Sequence, residues 1–234
     1  MTLRHIVIVL VAALLTSCAG TTEPESTQVV FEAEMPTTTV VTFAAKKGAD
    51  RIDGGFIDSV RIDKLRMMFT RIKLKRSSED TVKGARDVKV GPTIVTFERG
   101  KPTVAVGATI PVGTYDRMKL EMRPLTPSEA TQYANDNTFK PFIDPERVSV
   151  IVDGRKFASN SYADFTVSAE QTEDVWIVFD EPITVKSETT EFISLLADAT
   201  PFFLVDGAVL EPGDGRVKLR IKQAIRSMFR ARKK

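Results

Sequence analysis

The feature that most constrains this chain is an alternation with a period of two. Residues 115–123 set Met118, Leu120 and Met122 against Arg117, Lys119, Glu121 and Arg123. An extended backbone sorts these side chains onto an apolar and a charged face, whereas a helix would scatter both sets around its axis. Short runs rich in β-branched residues recur at residues 29–33, 39–44, 93–98, 103–110, 148–152 and 165–168, separated by turn residues. Such runs predict an all-β chain, an antiparallel β-sandwich spanning residues 29–210. No longer repeat is evident, which argues against a solenoid or propeller.

Residues 60–76 change phase twice. Val60 and Ile62 alternate, then Leu65, Met67 and Phe69, then Ile72 and Leu74. Ile62, Leu65, Phe69 and Ile72 also fit a helical stripe, but the neighbouring segments are β, so a strand with two bulges is the expectation; a bulge resets the alternation. Residues 175–179 are apolar throughout and predict a central strand covered on both faces, with Trp176 packed in the core. Asp180-Glu181-Pro182 interrupts before residues 183–186 continue, and proline there suggests an edge or a bulge. Thr126-Pro127-Ser128-Glu129 reads as a capped helical turn joining strands.

The C-terminal segment, residues 216–232, is expected to be a basic amphipathic α-helix. Residues 216–234 hold nine Lys or Arg and no acid, while Val217, Ile221, Ala224, Ile225, Met228 and Phe229 follow helical spacing. Residues 18–215 hold twenty-three basic against thirty-one acidic residues, so an acidic body carries a basic helix. Three roles stay open for it: packing on the sandwich, lying on an anionic membrane, or docking on a partner.

The N-terminus reads as an address. Arg4 supplies a positive start and residues 6–15 are an unbroken apolar run of ten, too short to span a bilayer as a helix. The run closes on Leu15-Thr16-Ser17-Cys18, which resembles the lipobox of lipoprotein signal peptides. That resemblance implies cleavage of residues 1–17 and a diacylglycerol on Cys18, hence a partner in the membrane itself. Ala19 after the cysteine, in place of Asp, points to the outer membrane of the cell envelope. The other reading is an ordinary secretory signal with Cys18 falling near the cut. Residues 18–28 are rich in Thr, Glu and Ser and read as a flexible tether.

His5 is the sole histidine and Cys18 the sole cysteine. With residues 1–17 removed and Cys18 acylated, histidine- and thiol-based catalysis and histidine-ligated zinc are excluded, and no disulfide can form within the chain.

The stretch Thr109-Ile110-Pro111-Val112-Gly113-Thr114-Tyr115-Asp116, followed by the alternating strand, resembles the turn and strand of immunoglobulin-like and transthyretin-like lipoprotein modules. Gly113 would give the turn its freedom and Tyr115 would enter the core. Arg71-Ile72-Lys73-Leu74, Phe202-Phe203 and Leu210-Glu211-Pro212 also resemble an uncharacterised family of Gram-negative lipoproteins with a domain of unknown function. The likeness implies an envelope location and no catalytic residue.

Acidic turns at Asp50 and Asp53, and at Asp206, Glu211 and Asp214, lack the oxygen-ligand spacing of an EF-hand and read as ordinary turns. No catalytic, cofactor or metal residue is assigned; Cys18 is the one modification site. The expected function is a non-enzymatic binding or structural module with an envelope protein or glycan as partner and no nucleic acid. Two alternatives remain: a fimbrial or surface-layer subunit that assembles by strand addition, and a carboxylate-only enzyme such as a glycosidase.

Overall fold

A computed structural model describes residues 25–42, 57–78, 85–158 and 160–234. In chain order the strands are β1 (Ser26–Glu34), β2 (Val40–Thr42), β3 (Ser59–Arg76), β4 (Ala85–Glu98), β5 (Thr103–Pro111) and β6 (Gly113–Met122). Helix α1 (Pro127–Gln132) precedes β7 (Val150–Ala158), β8 (Ser161–Ala169), β9 (Glu173–Val185) and β10 (Glu191–Ala197). The chain closes with β11 (Leu204–Val205), β12 (Ala208–Val209), α2 (Gly215–Ala224) and β13 (Phe229–Lys233). These elements build the expected all-β sandwich, with a C-terminal helix that is shorter than expected.

Strand β3, eighteen residues long, is the spine of the larger sheet. One edge of it pairs with β2 at residues 59–61 and with β4 at residues 64–75. The other edge pairs with β7 over residues 59–67 and then with β6 over residues 69–76. Strand β8 extends β7, and β9 extends β6. The register shifts between Ile62 and Lys64 and between Phe69 and Arg71, the two places where the apolar pattern changes phase. Each bulge turns the following apolar residues back inward, so Ile62, Leu65, Phe69, Ile72 and Leu74 all reach one core.

The smaller sheet runs β13-β10-β1-β5 and shares one core with the larger one, its β13 lying against β9 and its β5 and β1 against β4. Here β1 and β10 pair in parallel, a departure from a wholly antiparallel sandwich. A parallel pair needs a long crossover, and the chain from 35 to 190 supplies it. The described strand β1 begins at Ser26, so the expected tether of residues 18–28 is overrun at its C-terminal end. Thr27 is buried there, its hydroxyl donating to the Thr189 carbonyl at 2.5 Å.

The opposite face of the larger sheet is covered in part by residues 124–148. Met68 and Ile151 point to that side and pack with Leu125, Ala130, Phe139, Phe142 and Val148 in a second small core. Helix α1 starts with the expected cap: the Glu129 amide donates to the Thr126 hydroxyl at 3.3 Å, and the Thr126 amide donates to the Glu129 carboxylate at 2.8 Å.

Three expectations are corrected. Strand β9 is not central: it forms the margin of its sheet, and Trp176 and Val178 are 50% and 69% exposed while Val175, Ile177 and Phe179 are buried. Its Pro182 does sit in a bulge, where Tyr115 pairs with Ile183 but Arg117 already pairs with Val178. The strands paired on both sides in the smaller sheet are β1 and β10, and β10 is an apolar stretch that the alternation rule passed over.

The helix expected over 216–232 ends at Ala224, and residues 229–233 reverse into β13 against β10. Its apolar stripe is satisfied either way, since Val217, Ile221, Ile225 and Phe229 are all buried. Beyond Ile225 the alternation of buried Phe229 and Ala231 with exposed Arg230 and Arg232 suits a strand, and the open edge of β10 supplies the hydrogen bonds.

Candidate functional site

The bulge at Thr70 has a second consequence on the outer face of the larger sheet. By turning Ile72 and Leu74 inward it turns Arg71, Lys73 and Lys75 outward. The register then sets Lys73 beside Lys119 and Lys119 beside Trp176. In the next rows Lys75, Arg117 and Val178 align, and Arg71, Glu121 and Asp174 align. Three strands thus present a nine-residue face of cations, carboxylates and two apolar side chains.

Lys119 organises the middle of this face. Its Nζ lies 2.7 Å from Asp174, 3.0 Å from Glu121 and 5.8 Å from the centre of the Trp176 ring. The hydrogen bond to Asp174, then that to Glu121, raises the lysine above its ordinary range. Glu121 is pulled up by burial, yet the hydrogen bond and charge of Lys119, with Lys73 at 3.5 Å, outweigh this and hold it below the usual carboxylate value. The cation holds Trp176 from beneath by its ring face.

A shallow recess of about 300 Å³ adjoins the upper end of the face, lined by Thr70, Arg71, Pro92, Glu121, Arg123 and Glu129. Arg123 donates to both carboxylate oxygens of Glu129, at 2.7 and 2.8 Å. That fork, with the two hydrogen bonds from Thr126, lowers the Glu129 pKa to about 2. Both carboxylates of the recess are therefore ionised at neutral pH. A glycosidase-type general acid needs one carboxyl held protonated.

The remaining residues singled out in the sequence are dispersed. Cys18, His5, Asp50 and Asp53 lie outside the described residues. Asp206 takes a left-handed turn conformation with φ of 49°. Glu211 pairs with Lys156, and Asp214 caps α2 by accepting from the Arg216 amide at 2.8 Å. These three acids serve a turn, an ion pair and a cap, and among the described residues no group of three or more His, Cys, Asp or Glu could hold a metal ion. Among the described residues, too, no helix is long and apolar enough to cross a membrane.

Trp176 and Val178 were missed as surface residues, although a signal was present. They share the parity of Asp174 and Asp180, and carboxylates do not enter a core unpaired. The chain matches no protein-family model, no curated protein and no solved structure.

Proposed function

We propose that this chain is a lipid-anchored module of the cell envelope, held by a diacylglycerol on Cys18, that binds or builds structure and does not catalyse. Its contact surface is the outer face around Trp176, and the partner is an envelope protein or glycan. The observation that carries this reading is the exposure of Trp176 and Val178, 50% and 69%, on a regular sheet face beside paired charges. A half-exposed indole with a lysine against its ring offers apolar surface to a sugar ring or an apolar side chain. The apolar run and Leu15-Thr16-Ser17-Cys18 support the anchor.

Fractionation of cells that express the wild type and Cys18→Ala tests the anchor. The wild type is expected in the membrane fraction after a high-salt wash and the variant is expected outside it. A wild type that leaves the membrane in that wash would contradict the anchor.

A second reading, assembly by strand addition, is favoured by one observation. Among the described residues, strand β8 is the last strand on its side of the sheet and pairs with β7 alone, and its residues 161–164 are exposed. An open edge of this kind accepts an added strand. Concentration-dependent oligomers of the mature chain would support it, and a strictly monomeric chain would count against it.

A further inference from the structure

The basic C-terminal segment spends its apolar stripe inward, so what it shows to solvent is mostly cationic. Val217, Ile221, Ala224, Ile225, Met228 and Phe229 are buried, while the outward residues include Lys218, Lys222, Arg226, Arg230 and Arg232. Some of these charges are answered within the fold. Arg216 pairs with Asp214, Arg226 with Glu173 at 2.8 Å, Lys233 with Glu191 at 2.5 Å, and Lys234 with Glu32 and Glu34. Lys218, Lys222, Arg230 and Arg232 form no ion pair among the described residues.

Their arrangement is a stripe along one margin. Strand β13 is the outermost strand of its sheet, and α2 leads into it through Arg226. Two exposed apolar side chains accompany the charges: Leu219, 54% exposed, beside Lys222, and Phe192, 41% exposed, whose carbonyl accepts from the Lys234 amide.

The lower end of the stripe lies at the end of the sheet where the chain enters. Strand β1 rises from Ser26 parallel to β10, and β13 descends to Lys233 and Lys234 at that same end. The eight residues 18–25 that precede β1 reach at most about 28 Å. A lipid on Cys18 therefore keeps the stripe within reach of the bilayer that holds it.

We propose that the α2–β13 margin docks on the anionic phospholipid surface of the anchoring membrane, laying the domain along the bilayer and leaving the Trp176 face to a partner. The bilayer at the end of the tether is the occupant, and charge complementarity with acidic headgroups drives contact. Each unpaired cation near such a surface strengthens binding about fivefold. The identity of the bilayer rests on the lipid-anchored reading of Cys18, but the cationic margin does not.

The test uses the chain from residue 18 with Cys18→Ser, which keeps every described residue and carries no lipid. It is sedimented with vesicles of phosphatidylcholine, with and without phosphatidylglycerol. Binding is expected only to the acidic vesicles and should vanish at high salt. Replacing Lys218, Lys222, Arg230 and Arg232 by Glu is expected to abolish it, and the milder Gln set should weaken it by at least about a hundredfold, with an unchanged circular dichroism spectrum. Equal binding to both vesicle types, or full binding by the Gln set, would overturn the proposal. So would binding to soluble polyglutamate in preference to vesicles, which would make the partner an acidic protein. Because the Cys18→Ser chain carries no lipid of its own, none of these outcomes depends on whether Cys18 is acylated.

Discussion

The hydroxyl of Tyr115 donates to the carbonyl of Pro111 at 2.8 Å, tying the first turn of β6 back to the end of β5 where the chain passes between the sheets. Gly113 between them has φ of 154°, a conformation other residues rarely adopt. The Arg76 guanidinium lies 5.5 Å from the Tyr115 ring and donates to the Val112 carbonyl at 2.9 Å. Tyr115→Phe removes the donor at a buried site and is expected to cost about 1 kcal/mol. Tyr115→Ala adds a cavity and is expected to cost about 4 kcal/mol. Denaturant midpoints at constant m-value measure both.

The Arg123–Glu129 fork predicts a pH dependence with a definite sign. The folded-state carboxyl titrates at about 2, below its ordinary 4.5. The unfolded chain therefore binds the proton first as pH falls, and the pair's contribution is complete above about pH 4.5 and lost as pH drops through 2. Glu129→Gln is expected to cost about 1 kcal/mol at neutral pH and less below pH 3. A constant difference between variant and wild type across that range would refute the assignment.

Gly154 marks a close backbone approach. A Cβ there would lie 2.2 Å from the Arg61 carbonyl oxygen and 2.8 Å from the Phe165 ring. Since β7 is fixed by β3 on one side and β8 on the other, it cannot give way. Gly154→Ala is expected to destabilise by about 3 kcal/mol, read from the thermal midpoint.

Trp176→Ala separates contact from stability. Half of this side chain is already in solvent, so the expected change in stability is within about 1 kcal/mol. Loss of binding to an envelope glycan or protein at that stability is the expected result. A large fall in the thermal midpoint would mean that the indole supports the fold.

What was legible in the sequence followed from local rules. The bulged course of β3 could be read because each phase change is a step of three, and the α1 cap because Thr126 and Glu129 sit three apart. The end of the C-terminal helix could not, since Phe229 fits both the helical stripe and the strand, and only the open edge of β10 decides between them. The parallel pairing of β1 with β10 joins residues more than 150 apart, for which no local pattern exists. At the candidate site the charged face of β6 was legible from its alternation. Its alignment with Trp176 was not, because register is a property of two strands and not of one.

The anchor on Cys18 is tested by the mass of the N-terminal peptide of the mature protein isolated from membranes. A peptide that begins at Cys18 and carries the added mass of diacylglycerol is expected. An unmodified Cys18, or a mature chain that begins after it, would rule the anchor out.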